Sequence, residues 1–512
     1  MFLNGTYIGD INGGFTRAKF DITPYASHNT ENYLAVLIIK NTDSGTLDLT
    51  KLNITLKTEV ANSSEKAVTA FLCGVIRGRK DLLFEKEVQL KANEICDVEI
   101  GPLVMKDPEL WWPNGYGEQP LYNMTVTASV NGEPSDKKEF QFGARELTYT
   151  LEERDQTDRN GYQNGNNLTI LCNGVRVIIR GGNWGLEDIH LNVDAEGYDD
   201  KMRLHKYENF NIIRNWGGQV NDGELYKACD KYGILIWDDF FFPGCWLHIP
   251  KDSDMFLANV VDKIKQYRSH PCLALYCGAN ETHPEVEEIE KGMRKYVKTL
   301  DGTRHYIPNS AQAPVAEDGP HKAMLPEFYF TNTLPGIMNS ERGMPNIPVA
   351  ETMRMIFPED KLWPHNDMWA LHDFALRWNV DGGGYLKKLE DYGEYDTFDE
   401  MIRRAQLQSY ELHKAMFEGS IASRSNGLMM WMSNPVWPSL VWQSYDYFHD
   451  VNGGYYGLKT ACQPINLIWN PANDRMCCRY SMRIITFLLC RVKQRVLTWN
   501  SRKRTCLKEL LG

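Results

Sequence analysis

The sequence contains no uninterrupted apolar run of about eighteen residues, the length a helix needs to cross a bilayer, so no membrane partner is predicted. It also lacks a basic excess: 67 Asp and Glu stand against 56 Lys and Arg, which gives no electrostatic case for nucleic acid. The first seven residues lack the pattern of a signal peptide and predict a strand, an Asn-Gly turn and a second strand. Periplasmic, secreted and cytoplasmic locations all stay open, as does the oligomeric state.

Metal and cofactor motifs are missing as well. The twelve Cys show neither metal-ligand spacing nor the framework of a small disulfide-bonded domain. No glycine-rich phosphate-binding motif occurs, and the three glycines at 382–384 predict only a flexible turn. We therefore expect no metal and no cofactor. The 14 Trp and 25 Tyr are plentiful, which suits the apolar faces of sugars and suits large cores equally well.

The spacing of the predicted strands and helices divides the chain into segments. Residues 1–40 and 41–145 carry short alternating strands, and the spacing over 41–145 predicts an immunoglobulin-like β-sandwich. From about residue 146 to 460, strands alternate with helices, which indicates parallel βα units and, with about eight strands, a TIM barrel. The strands of this barrel are predicted at 175–184, 211–217, 234–240, 270–279, 306–310, 328–330, 337–340 and 428–432.

Two carboxylates stand at the ends of predicted barrel strands. An apolar run beginning at His270 ends abruptly in Gly-Ala-Asn-Glu at 278–281, and sixty residues later Ser340 and Glu341 end another strand. Catalytic side chains of such barrels project from the C-terminal ends of the strands. A retaining glycosidase needs two carboxyl groups, one as acid/base and one as nucleophile, roughly 5–5.5 Å apart. Glu281 and Glu341 are the candidates for this pair.

The residues around these carboxylates resemble glycoside hydrolase family 2, on its β-mannosidase and exo-β-glucosaminidase side. The resemblance rests on the runs 270–284 and 336–348 and on an aromatic loop at 110–122. It implies a multidomain chain, in which a (β/α)8 TIM barrel follows an immunoglobulin-like β-sandwich and a partial jelly-roll β-domain at 1–40, the rest of which would lie before Met1. Residues 461–512 are expected to begin a further β-domain and to end in an atypical tail, with nine Lys or Arg and one acidic residue from Cys477 onward.

The resemblance also implies roles for individual residues. Glu281 would be the acid/base, and Asn280 would hydrogen-bond the 2-hydroxyl of the sugar. Glu341 would be the nucleophile; Glu351 is its rival, although it stands in a stretch that resembles the start of a helix. Further substrate-binding or orienting residues are expected at other strand ends, each with an ordinary packing or ion-pair role as the alternative: Arg180, Trp184, Arg214, Trp216, Asp239 and Trp431.

These features together predict an exo-acting, retaining β-glycosidase with a carbohydrate substrate. β-Mannosidase comes first, because the run 277–281 resembles that branch. Exo-β-glucosaminidases tend to carry Asp as the acid/base, where this chain has Glu281, and β-galactosidase stays open because the segment 215–221 departs from the usual mannosidase pattern. A carbohydrate-binding relative without turnover is the alternative from another class.

Overall fold

The computed structural model describes residues 49–153, 166–191, 193–242, 250–282, 287–374 and 381–480, and the backbone of four short strands outside these ranges. The chain forms two units, one made of Met1–Leu47 with Arg483–Gly512 and the other of Asp48–Met482. In the first unit the antiparallel order of strands is Thr6–Tyr7, Phe2–Leu3, Asn32–Val36 and Leu488–Val492. The two strands predicted within the first seven residues are thus confirmed. Most of the predicted jelly-roll segment and of the basic tail lies outside the described residues.

The second unit begins with a β-sandwich. Strand Lys51–Ala61 pairs with Ile95–Lys106, and a four-stranded antiparallel sheet faces them with the order Leu83–Leu90, Val68–Ile76, Tyr122–Val130 and Glu133–Phe142. More and less buried residues alternate along Lys51–Ala61 and Val68–Ile76, as they do when one face of a sheet is covered. Both sheets contribute to one apolar core, made of Leu56, Leu72, Ile76, Leu82, Phe84, Val98, Ile100, Met105 and Met124.

The aromatic loop at 110–122 joins this sandwich to the following helices and strands. The indole of Trp111 donates to the carbonyl of Asp230 at 2.8 Å, and the side-chain amide of Asn114 donates to the carbonyls of Lys206 and Phe210. A three-stranded antiparallel sheet follows, made of Leu147–Glu153, Asn166–Cys172 and Val175–Val177. The hydrogen bonds of Trp111 and Asn114 give the loop a structural role.

Eight parallel strands then form one sheet. Labelled β1 to β8 in chain order, they are Ile179–Trp184, Ile212–Asn215, Leu235–Asp239, Leu273–Ala279, His305–Asn309, Ala316–Asp318, Met338–Arg342 and Gly427–Met430. Their order in the sheet is β5-β4-β3-β2-β1-β8-β7-β6, so β1 pairs with β8 as well as with β2. This order is consistent with a TIM barrel. Every residue of β1, β2, β3, β4, β7 and β8 is buried, as expected where helices cover the outside of a parallel sheet.

The sixth strand differs from the prediction. The aromatic run 328–330 was expected to be a strand, and it lies in a helix, Pro326–Thr331. Pro326 occupies the first turn of this helix, where the missing N–H costs nothing, and Tyr329 and Phe330 are buried in the same core as helix Phe398–Ala422. Strand β6 instead comes earlier in the chain. The total of eight is unchanged, so residue 281 follows β4 and residue 341 lies in β7.

Helices connect the parallel strands. Three of them are Gly223–Tyr232, Ser253–Tyr267 and Glu287–Tyr296, the last continued by a π-helical turn at Val297–Asp301. Gly233 ends the first of them with a left-handed backbone (φ 74°), as a C-terminal glycine does. The other α-helices are Ala195–Tyr207, Pro326–Thr331, Ala350–Ile356, Asp367–Leu371, Asp381–Leu389, Phe398–Ala422 and Gly453–Ala461.

An antiparallel pair of strands, Ile465–Asn470 and Arg475–Tyr480, follows the last helix. None of the helices in the described part of the chain is both long and apolar enough to span a bilayer.

Candidate active site

Arg214 is the centre of a buried polar cluster at the C-terminal ends of the parallel strands. It is the third residue of β2 and is fully buried. One terminal nitrogen, Nη1, donates to Glu341 Oε1 at 2.7 Å, and the other, Nη2, donates to Asn280 Oδ1 at 2.7 Å and to Asp239 Oδ2 at 2.8 Å. The planar fork of a guanidinium suits such a set of acceptors. Arg214 thereby joins strands β2, β3 and β7 and the end of β4.

The charge of Arg214 is matched by two carboxylates. Burial alone lowers the pKa of the guanidinium, but the carboxylates of Asp239 and Glu341 outweigh it and raise the pKa above its ordinary value. Arg214 therefore stays charged, and its Nη1 places that positive charge against the carboxylate of Glu341. An ionised carboxylate at this position can act as a nucleophile.

Asp239 is the last residue of β3 and accepts from several donors. Its oxygens receive hydrogen bonds from Arg214, from the indole of Trp237 at 2.9 Å and from the backbone N–H of Gly217 at 2.9 Å. Neighbouring Asp238 points the other way along the alternating strand and pairs with Lys263 at 2.7 Å. The sequence prediction had placed Asp239 at the site, and the structure brings it there.

Asn183 belongs to the same cluster and was missed from the sequence. It is the fifth residue of β1 and pairs in register with Arg214. Its amide nitrogen donates to the carbonyls of Ser340 and Met430, and its oxygen accepts from Arg214 at 3.1 Å. It therefore links β1 to the strand that carries Glu341. The period-two alternation of β1 opposite Arg214 was the signal that could have found it.

Arg180 and Trp184 were expected at the site, and the structure does not bring them there. They stand an odd number of residues from Asn183, so they project from the other face of β1. Arg180 donates to the carbonyl of Cys462 at 2.9 Å, and Trp184 packs against His205 of helix Ala195–Tyr207 with ring centroids 5.5 Å apart. Both therefore serve the packing of helices onto the sheet.

Asn280 and Glu281 directly follow β4. Asn280 is buried, and its side-chain oxygen accepts from Arg214 and from the hydroxyl of Ser310 at 3.1 Å. Glu281 is half-buried, and its backbone N–H donates to the same hydroxyl at 3.1 Å. Its backbone is left-handed (φ 48°), a conformation that non-glycine residues adopt at a cost and that is concentrated at functional sites. Glu351, the rival to Glu341, is exposed in the first turn of helix Ala350–Ile356.

A cluster of aromatic side chains reaches Glu341 through His321. The rings of Trp216 and Trp431, both predicted, meet edge to face with centroids 5.3 Å apart. Trp442 contacts Trp431 at 6.2 Å and was not predicted. His321, also not predicted, contacts both Trp431 and Trp442, and its Nε2 lies 3.4 Å from Glu341 Oε2. Both unpredicted residues lie in loops outside any regular motif, so their sequence carried no signal.

One group of potential metal ligands occurs within the described ranges: Asp230, His270 and Cys272, whose ligand atoms lie within 4.8 Å of one another. Asp230 already contacts His270 Nδ1 at 2.6 Å and accepts from the backbone N–H of Cys272 at 2.9 Å. Burial, and secondarily Asp230, raises the pKa of the Cys272 thiol well above its usual value, which disfavours the thiolate a metal needs. The group lies before the start of β4, away from Glu341, and is explained as structural.

The comparisons with known proteins agree with this architecture. The family model described as "Glycosyl hydrolases family 2" matches residues 22–145. A mannosylglycoprotein endo-β-mannosidase of Lilium longiflorum is 30% identical over 75% of this chain and 46% of its own length. An exo-β-D-glucosaminidase of Amycolatopsis orientalis is 27% identical over 82% of this chain and 42% of its own. The solved β-D-mannosidase of Dictyoglomus thermophilum, 23% identical, superimposes with a TM-score of 0.72 over 87% of this chain and 56% of that one.

The parallel sheet and the relatives define the class of protein as a glycoside hydrolase. More particularly, the chain belongs to glycoside hydrolase family 2. It spans about half the length of the curated relatives it matches.

Proposed function

We propose that the chain carries the catalytic machinery of a retaining β-glycosidase that removes terminal β-linked sugars from oligosaccharides or glycans, and that the sugar is mannose. The observation that carries the proposal is the contact of Arg214 with Glu341, Asn280 and Asp239 at the C-terminal ends of four parallel strands. Such a cluster pairs one buried carboxylate with a guanidinium, beside the strand end that bears a second carboxyl group.

In the proposed first step, Glu341 forms a bond to the anomeric carbon while the bond from that carbon to the leaving oxygen breaks. Glu281 gives its proton to the leaving oxygen. In the second step Glu281 takes a proton from water, the water oxygen attacks the anomeric carbon, and the ester bond to Glu341 breaks. Arg214 donates a hydrogen bond to Glu341 before the first step and after the second.

The remaining candidates have supporting roles in the proposal. Asn280 is held by Arg214 and Ser310 through its oxygen, which directs its amide nitrogen toward a sugar hydroxyl. Trp216 and Trp431 form an apolar wall for a sugar face. The proposal also covers the architecture: the sheet closes as a (β/α)8 barrel, and the sandwich is immunoglobulin-like. The domain boundaries are proposed to lie at residues 40, 145 and 460.

Hydrolysis of a panel of aryl β-glycosides (mannoside, galactoside, glucosaminide and glucuronide) by the purified chain tests the sugar. The mannoside is expected to be cleaved fastest, and a faster glucosaminide or galactoside would assign the chain to that activity. Proton NMR of the product first formed tests retention, which requires the β-anomer. A chain that binds sugars without releasing any aglycone would be a carbohydrate-binding relative.

An endo mode of action is the second candidate, because the Lilium longiflorum relative is named an endo-β-mannosidase. A glycan whose β-mannose carries further sugars distinguishes the two modes. An exo enzyme leaves this glycan intact and cleaves the same glycan once the outer sugars are removed, whereas an endo enzyme cleaves the substituted form.

A further inference from the structure

The second oxygen of the Glu341 carboxylate faces an imidazole. Oε1 accepts from Arg214, while Oε2 lies 3.4 Å from Nε2 of His321. This Nε2 is buried and has no hydrogen-bond partner among the described residues, although 27% of the His321 side chain is exposed. Hydrogen bonds of catalytic groups are often long before substrate binds and tighten in the complex. Nε2 of His321 therefore faces the carboxylate and makes no other hydrogen bond among the described residues.

Two aromatic rings hold this imidazole in place. Its centroid lies 5.9 Å from that of Trp431 and 6.3 Å from that of Trp442, with interplanar angles of 75° and 72°. Rotation of the ring away from Glu341 would break both edge-to-face contacts, a geometry that aromatic pairs favour. The orientation of Nε2 toward Oε2 thus follows from packing.

The loop that carries His321 is also tied to the strand end that carries Glu341. The backbone N–H of Gly343, two residues after Glu341, donates to the carbonyl of Pro320 at 3.1 Å. Gly319 turns the loop with a left-handed backbone (φ 69°), and a Cβ on it would lie 3.1 Å from His321 Nδ1. A residue with a side chain at 319 would press on the imidazole. The imidazole and the carboxylate are therefore held by one short hydrogen-bonded connection.

We infer that His321 is a positioning residue for the nucleophile, an inference that rests on the role proposed for Glu341. Arg214 holds one carboxylate oxygen and leaves the carboxyl plane free to turn about the last side-chain bond. An N–H donated from His321 Nε2 to Oε2 removes that freedom and aligns the carboxylate with the anomeric carbon. Loss of such alignment by about 1 Å can cost roughly 100-fold in rate.

Covalent labelling tests this inference in the intact chain. The probe is 2-deoxy-2-fluoro-β-mannosyl fluoride, whose activated leaving group needs little protonation, so the rate of labelling reports the attack of Glu341 alone. Intact mass gives the rate, and peptide mapping identifies Glu341 as the labelled residue. His321→Ala is expected to slow labelling about 10- to 100-fold.

Two further variants separate positioning from packing. The amide nitrogen of Gln can occupy the place of Nε2, while that of Asn reaches only the place of Nδ1, so His321→Gln should recover most of the rate and His321→Asn should not. The matched control is Lys322→Gln, which changes the exposed neighbour of His321 and should label at the wild-type rate. Equal rates for the Gln and Asn variants, or a wild-type rate for His321→Ala, would overturn the inference alone. A wild-type chain that takes no label would overturn the proposed function and the inference with it.

Discussion

The guanidinium of Arg214 donates to the carboxylate of Glu341 at 2.7 Å, which connects strand β2 to strand β7 across the C-terminal ends of the sheet. Both residues are almost completely buried, so neither charge is compensated by water. A buried ion pair contributes little net stability, but removal of one partner leaves the other charge buried and unpaired. The pair is therefore both a structural and a functional element of the site.

Arg214→Leu is expected to lower the free energy of unfolding by roughly 3–5 kcal/mol, because Asp239 and Glu341 would both lose their partner. Arg214→Lys keeps the charge without the planar fork, so it should lose less stability and still lose most of kcat/KM. Urea unfolding and aryl glycoside kinetics measure the two effects. The control is Arg203→Leu, which breaks an exposed pair with Asp200 and should change stability by less than about 1 kcal/mol. Similar losses in Arg214→Leu and the control would contradict the assignment.

Glu281→Gln is expected to abolish hydrolysis of substrates with poor leaving groups and to spare those with activated aryl leaving groups much more. A good leaving group departs with little protonation, so the acid is less needed. The dependence of kcat/KM on the pKa of the leaving group measures this difference. Glu351→Gln, at an exposed helix position, serves as the control and should behave as wild type. If Glu281→Gln lost the same factor on both substrate types, Glu281 would not be the acid.

Gly343→Ala tests the close approach of strands β7 and β8 beside Glu341. A Cβ at residue 343 would lie 1.8 Å from the carbonyl oxygen of Trp431, so either the strand end or the tryptophan must move. We expect a loss of roughly 1–3 kcal/mol, as in other overpacked sites, and a fall in kcat from the displaced nucleophile. Gly223→Ala, where a Cβ meets nothing within 4 Å, is the matched control and should be neutral or slightly stabilising in its helix. A folded, fully active Gly343→Ala chain would rule out the constraint.

The sequence predicted the order of the strands better than the direction of their side chains. Apolar runs with abrupt polar ends located β2, β3, β4 and β7, because buried parallel strands are continuous in hydrophobicity. Strand β1 carries a polar residue on each face, Arg180 on one and Asn183 on the other, so its sequence alone did not reveal which face lines the site. Arg180 was therefore predicted there in place of Asn183.

Loop residues of the site escaped prediction for a different reason. His321 reaches Glu341 only through a turn built from Gly319 and Pro320, and Trp442 through a loop after β8. Long-range contacts of this kind leave no periodic signal in the sequence. The helix at Pro326–Thr331 was mistaken for a strand because its aromatic residues have strand propensity, which tertiary packing overrides.

The buried histidine of the long helix Phe398–Ala422 predicts a pH effect on stability. His413 contacts the carbonyl of Ser409 through Nδ1 at 2.8 Å, and burial lowers its pKa to about 4. An unfolded chain binds a proton on this residue below pH about 6.5, and the folded chain does not until about pH 4. The free energy of unfolding should therefore fall by about 1.4 kcal/mol per pH unit from this residue as the pH drops through that window.

His413→Leu removes that contribution while it keeps an apolar side chain of similar volume. As the pH falls from 6 to 4.5, the free energy of unfolding of the variant should rise relative to that of the wild type by about 1.4 kcal/mol per pH unit, measured by urea unfolding. Burial also lowers the pKa of His205 to about 4 and raises the pKa of the Glu208 carboxyl. Both residues are present in the variant and in the wild type, so their contributions to the pH dependence cancel in the comparison. His190→Leu, which removes an exposed ring, is the control and should keep the wild-type slope. A stability difference between His413→Leu and wild type that did not change with pH would mean that His413 binds its proton equally in the folded and unfolded chains.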